Sequence, residues 1–301
     1  MNIKTISAFG YQATIDLEDA SLTSLRFRGM QIIKEFTPEL GRKFYAGQVL
    51  APWPNRIRDG EYSIDNILYK IPVNEYERNT ALHGFLNAES WSLLKFSEQE
   101  ISFKTITNEK DYYPFRLEII VLYQLFQSGL KVTVTAKNLS FMPAPYGVGF
   151  HPYVILEIER EFHDWFLQIP ADKYMKVDEE RYLPTQMEEC RKDNFDFTNL
   201  KQIGKIKINH AFKFANSKEE NTIFLVNAQG EGIYLRCDKS IPWVEIYIPG
   251  NDHISENQNF VAIEPMSCPP DSFNSGVDLV WLHNTEVHNF SFMLGIRNFE
   301  P

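Results

Sequence analysis

Apolar and polar residues alternate with a period of two along much of this chain, a spacing that half-buried β-strands require and helices cannot use. In Leu130-Lys131-Val132-Thr133-Val134-Thr135 the apolar side chains all fall on one face. The β-branched run Ile101 to Ile106, and the stretches Val244 to Ile248 and Phe290 to Ile296, are further strand candidates. Thr222 to Val226 and Ile233 to Cys237 flank a glycine-bearing segment, the pattern of a hairpin with a longer loop. Asp59-Gly60 and Asp65-Asn66 stand between short apolar stretches as turns of a meander would. Amphipathic helical stretches are scarce, and the acidic segment Asp178 to Asp193 reads as a solvated loop. We therefore expect an all-β chain, most simply a large antiparallel sandwich.

A length of 301 residues would often mean about two domains, but β-sandwiches commonly exceed that size as one unit. No linker or repeat interrupts the sequence, so residues 1–301 are expected to form a single domain. Forty acidic residues against thirty basic ones give a formal charge of -10. Without a Lys/Arg run, that balance disfavours a nucleic-acid partner. The start of the chain lacks the apolar core of a signal peptide, and no apolar run is long enough to span a bilayer. The three cysteines, Cys190, Cys237 and Cys268, are widely spaced and odd in number, as expected of reduced thiols in a cytoplasmic protein. A neutral or cationic small molecule is the partner such a chain accommodates most easily, as monomer or homodimer.

Four segments break the alternation with turn formers, aromatic rings and ionisable groups together: 51–60, 79–85, 143–153 and 264–276. That mixture suits the walls of a pocket on a rigid scaffold. Glu264 follows the apolar run Phe260-Val261-Ala262-Ile263, and Pro265 keeps it extended. Burial there would raise its pKa and prepare it for proton transfer, although a strand-end Glu paired with a structural Arg such as Arg56 would look the same. His151, in Gly149-Phe150-His151-Pro152-Tyr153, is a candidate proton donor or acceptor near neutral pH, and His83 has a similar setting. Arg56 could orient hydroxyls through its planar fork, while Trp53, Phe150 and Tyr153 could face a sugar ring or simply fill core. His163, His210, His253, His283 and His288 lack comparable surroundings. No HExxH, P-loop, GxGxxG or GxSxG occurs, so neither a metal nor a nucleotide cofactor is implied.

Pro54-Asn55-Arg56-Ile57 with Gly60, then Leu82-His83-Gly84, then Gly149-Phe150-His151-Pro152-Tyr153, then Glu264-Pro265, in that order, resemble the aldose 1-epimerase (galactose mutarotase) family. The resemblance implies a large antiparallel β-sandwich that binds a monosaccharide in a groove and needs no cofactor or metal. It places Glu264 as the base for the anomeric hydroxyl and His151 as the acid for the ring oxygen. Arg56, His83 and their neighbours Asn55, Trp53 and Tyr153 would then bind the sugar. One position departs from the family pattern. Asn209, in Ile208-Asn209-His210-Ala211-Phe212, stands where members commonly carry an Asp that binds a sugar hydroxyl. An amide cannot offer a charged acceptor, so sugar preference is expected to differ more than the reaction.

The expected activity is interconversion of the anomers of a free hexose. A hexose-phosphate mutarotase would draw on Arg56, Arg58 and Arg78, and a non-catalytic sugar sensor would keep the groove alone. A glycoside hydrolase would need a second carboxyl such as Asp271 across the bond from Glu264.

Overall fold

The computed structural model describes residues 2–157, 162–216, 219–249 and 259–298; His253 lies outside them. Its long strands are those that the alternation marks out. Leu117–Phe126 and Gly129–Asn138 pair over their full length with alternate side chains buried, and each fully buried Val or Leu contributes about 1.5–3 kcal/mol. They sit inside a nine-stranded antiparallel sheet with Val287–Arg297, Gly232–Cys237 and Asn221–Val226. Asp65 and Asn66, both at positive φ, close the two-residue turn between Glu61–Ile64 and Ile67–Lys70, as expected of hairpin turn residues. The α-helices among the described residues are short, Pro38–Lys43 and Ser272–Ser275. None is long and apolar enough to cross a membrane.

An eight-stranded sheet lies against the first. Its order runs Pro184–Glu189, Ala171–Val177, Ile208–Phe214, Trp243–Ile248, Val261–Met266, Gly149–Phe150 and Val49–Leu50, with Tyr153–Val154 also on Val261–Met266. Val244, Ile246, Val261 and Ile263 join the core shared with Val121, Val132 and Val134 of the nine-stranded sheet. Phe150 fills the same interlayer space, with its ring 5.2 Å from Phe292. The chain is thus an all-β sandwich of antiparallel sheets.

Pro184–Glu189 corrects one expectation. Most of the acidic 178–193 segment is not a loose loop: it turns at 178–183 and returns as an edge strand on Ala171–Val177. Asp178 organises the turn by accepting hydrogen bonds from the backbone N–H groups of Glu180, Arg181 and Leu183. Period-two reading misses this strand because its side chains are mostly exposed on both faces.

The functional side of the eight-stranded sheet is the face away from the shared core. Register alone puts Trp243, Glu245 and Tyr247 there, beside Met266, Glu264 and Ala262. This face is also covered, because every residue of Val261–Met266 is buried. Its apolar flanks form two small clusters, one of Met175, Ala211, Trp243 and Met266, the other of Tyr153, Phe260 and Ala262. The carboxyls lie between them.

Candidate active site

Glu264 and His151 meet in this gap. Glu264 Oε1 is 3.2 Å from His151 Nε2, and both side chains are almost wholly buried. Burial is the cause of the largest effect on each. It raises the Glu264 carboxyl well above its usual range, with Glu245 adding to the rise and Arg56 opposing it. It lowers His151 to about 3. Burial thus disfavours the charged form of each partner across the Oε1···Nε2 contact. His151 is further fixed by Tyr153, whose ring stacks on the imidazole at 4.7 Å while its hydroxyl donates to the Phe44 carbonyl.

His83 completes the group, its ring 5.3 Å from that of His151. The 51–60 and 79–85 segments bring it there by pairing Arg56–Arg58 with Thr80–Leu82. Asn55 and His83 both adopt positive φ and bond to each other twice. The Asn55 N–H donates to His83 Nδ1 at 3.1 Å, and the His83 N–H donates to the Asn55 carbonyl at 2.9 Å. Left-handed backbone at such residues costs about 1–2 kcal/mol each, and it persists where surrounding structure enforces it. Gly84 allows the close approach: a Cβ there would lie 2.0 Å from the Ala51 carbonyl oxygen.

His83, His151 and Glu264 each present a donor atom within 4.8 Å of the others, a spacing that a metal ion could use. The Asn55 bond argues against that use. An Nδ1 that accepts a backbone N–H has its lone pair engaged, so the neutral ring carries its proton on Nε2. His83 then donates rather than ligates. Burial, with His151 and Arg56 nearby, keeps its pKa well below 6.5, so this neutral tautomer persists at physiological pH.

Arg56 does not pair with Glu264, so the Arg56–Glu264 ion pair that the sequence left open is not formed. The Arg56 Nε and Nη2 instead hold Glu75 at 2.8 and 2.9 Å, and its Nη1 donates to the Asn55 side-chain oxygen at 3.3 Å. Glu75 also accepts from Arg78 and Thr80. Tyr182, at the tip of the 178–183 turn, lies 5.5 Å from the Arg56 guanidinium and 4.7 Å from that of Arg78. The turn is held there by Arg181, which donates to the Arg78 and Asn79 carbonyls.

Asn209 sits half-buried on the same face as Glu264, opposite Tyr247, which is in turn opposite Ala262. Trp53 and Phe150 are placed differently. Trp53 packs edge-on to Phe85 and Phe273 and donates its indole N–H to the Ala81 carbonyl, so it supports the wall as core. Asp271 is occupied by the backbone N–H and guanidinium of Arg58.

Motif reading misses Glu75, Tyr182, Tyr247 and Glu245. For Glu245 a signal exists: a carboxylate at an inward position of Trp243-Val244-Glu245-Ile246-Tyr247-Ile248, in an otherwise apolar and aromatic strand.

Residues 3–294 match the family model described as Aldose 1-epimerase. An uncharacterised protein of Escherichia coli K12, YihR, is 34% identical over 96% of this chain and 91% of its own length. The galactose mutarotase of Rattus norvegicus is 24% identical over 69% of this chain and 63% of its own. Among solved structures, a GalM/aldose epimerase homologue from C. elegans superposes with a TM-score of 0.85 over 99% of both chains, at 20% identity.

Proposed function

Since the chain belongs to the aldose 1-epimerase family of isomerases, we propose that it interconverts the α and β anomers of a free hexose by acid–base ring opening. The observation that carries this reading is the buried Glu264–His151 contact. The proton they share can sit on either partner. With it on His151, Glu264 is a carboxylate base beside an imidazolium acid. Glu264 takes the proton of the anomeric hydroxyl, the C1–O5 bond breaks as C1 becomes an aldehyde, and His151 gives its proton to O5. Rotation about C1–C2 and the reverse steps return the other anomer.

After ring opening Glu264 is protonated and His151 neutral, which is the form that burial favours in the free site. Reclosure uses that form directly: His151 takes the O5 proton back and Glu264 returns its own to O1, so the pair, 3.2 Å apart, ends the cycle as it began without solvent. Positioned acids and bases each contribute about 10²–10⁴-fold, enough for a reaction that weak acids and bases already catalyse. The Nε2–H of His83 supplies a fixed donor beside them, and Arg56, locked by Glu75, a second.

The test is polarimetry on freshly dissolved α-D-glucose and α-D-galactose. Faster relaxation than in buffer is expected for at least one. Relaxation at the buffer rate, with sugar still binding, would leave a sensor in place of an enzyme.

A second reading has one observation in its favour. Arg56 and Arg78 share the single carboxylate of Glu75, and Arg78 Nε is buried without a hydrogen-bond partner among the described residues. One positive charge is thus uncompensated at the rim, where a sugar phosphate would be welcome. Faster turnover of glucose 6-phosphate than of glucose would select it. A hydrolase is disfavoured, because Asp271 is engaged by Arg58, and Glu245, the cross-strand neighbour of Glu264, projects from the same sheet face, so the two do not flank a bond from opposite sides.

A further inference from the structure

Glu245 belongs to no motif, and the proton transfers above do not use it. It stands directly opposite Glu264 in the pairing of Trp243–Ile248 with Val261–Met266. Residues so placed have Cβ atoms about 4.5–5.5 Å apart, with side chains on one face. The two carboxyls are 2% and 3% exposed and so occupy one buried space. In each, Oε2 is buried without a hydrogen-bond partner among the described residues.

Balancing charge is scarce around them. Among the described residues Arg56 is the cation that acts on both, and it is tied to Glu75, as is Arg78. Lys213, on the neighbouring strand, is bound to Asp278 and lies over the Trp243 ring. His151 and His83 are held neutral by burial. Tyr153 and Tyr247, which also face Glu264, have phenols pushed upward by burial, and Tyr182 beyond them brings no cation. Two ionised carboxylates in such a place would repel each other with little relief.

We propose that Glu245 is a positioning residue for the base: the two carboxyls share one buried space and titrate as one coupled pair, so that the first proton the pair takes up, the one Glu264 accepts, is held more tightly than by a lone carboxylate there. The protons balance: Glu264 takes the anomeric proton while the ring oxygen takes its own from His151, and reclosure returns both. The direction of both carboxyls agrees: burial raises Glu245 to about 8, and the Glu245 charge is the second cause of the rise at Glu264. Coupled groups of this kind release protons in steps that belong to the pair.

The consequence for catalysis rests on Glu264 being the base, but the coupling can be measured without turnover. Glu245→Gln keeps the volume and a hydrogen-bond donor while removing the ionisable group. In protein labelled with ¹³C at the glutamate carboxyls, assigned with Glu264→Gln, the wild-type Glu264 signal should titrate in two steps. In Glu245→Gln it should titrate in one, at least one pH unit lower, and the acid limb of the mutarotation profile should move down with it. An unchanged Glu264 titration in the folded variant would overturn the proposal, as would independent single steps in the wild type. If no sugar turns over while the two-step titration appears, the proposed function falls and the coupling stands.

Discussion

The backbone N–H of Asn55 donates to Nδ1 of His83 at 3.1 Å, and this one bond decides what His83 can do. It fixes the Nε2–H tautomer and makes the ring a hydrogen-bond donor to whatever occupies the site. ¹⁵N shifts of the imidazole should show that tautomer unchanged from pH 5 to 8, because the pKa lies well below 6.5. Loss of one hydrogen bond to substrate costs about 0.5–1.5 kcal/mol, more if a buried group is left unpaired. His83→Ala should therefore lower kcat/KM by roughly 10-fold or more, mainly through KM. A titration near pH 6.5, or a Nδ1–H tautomer, would sink the assignment.

Glu264→Gln and His151→Asn remove the two ends of one proton path. Each should lower kcat by about 10²–10⁴-fold while the sheet register is preserved. The double variant should be little worse than the poorer single one, because groups that act as a unit do not add. Polarimetric rates on variants checked for folding by circular dichroism decide this. Multiplicative losses would mean two independent proton paths.

Glu75 carries a stability prediction with a pH signature. Burial alone would raise its pKa, but the hydrogen bonds and charge of Arg56, helped by Thr80 and Arg78, outweigh that and hold it below 4.5. A depressed carboxyl contributes stability that is present above the unfolded value and lost as pH falls through the folded one. Glu75→Gln leaves two guanidiniums without their carboxylate. It should cost roughly 2–3 kcal/mol at pH 7, below the ~3–5 of a fully buried pair because the site is partly open. In urea melts the difference from wild type should shrink as pH is lowered past 4.5. A difference independent of pH would mean that packing, and not charge, is what was lost.

How far the sequence can be read follows from the same physics. Alternation locates the long strands because each half-buried strand writes its burial pattern directly into the residue order, as Gly129–Asn138 does. It fails at Pro184–Glu189, where exposed side chains carry no pattern. Glu264, His151, His83 and Arg56 stand out because they sit beside Pro, Gly and aromatic residues in segments that break the period. Glu245 is hidden, since its strand looks like ordinary core and only the pairing with Val261–Met266 brings it to Glu264. Glu75 and Tyr182 are hidden for a related reason. Each acts through a guanidinium distant in sequence, and no local spacing reports such a meeting.

Gly84 ties the His83 loop to the scaffold through a close backbone approach. At φ +69 a Cβ would stand 2.0 Å from the Ala51 carbonyl oxygen, and no side-chain rotation relieves a clash with backbone. Gly29 is the control: its φ is also positive (+89), but a Cβ added there would meet nothing within 4 Å. Gly29→Ala should cost about 1–2 kcal/mol, the ordinary penalty for a left-handed residue. Gly84→Ala should cost clearly more in thermal or urea melts, and should also lower activity by moving His83. Equal losses in the two variants would show that Gly84 serves conformation alone.

Asn209 offers a way to separate sugar recognition from proton transfer. It shares the Glu264 face but lies two strands away, beyond Tyr247, so its amide can reach a hydroxyl without touching the transferred protons. Hydrogen bonds to a charged acceptor contribute about 1.5–3 kcal/mol against about 0.5–1.5 for neutral ones. If a sugar hydroxyl donates to this position, Asn209→Asp should tighten that contact by ~1 kcal/mol, about fivefold in KM. The variant should leave kcat and the pH profile near wild type, because Glu264 and His151 are untouched. The direction of the KM change across glucose, galactose and their C2 and C4 variants then identifies the hydroxyl. A fall in kcat with KM unchanged would instead place Asn209 in the proton path and remove it from sugar recognition.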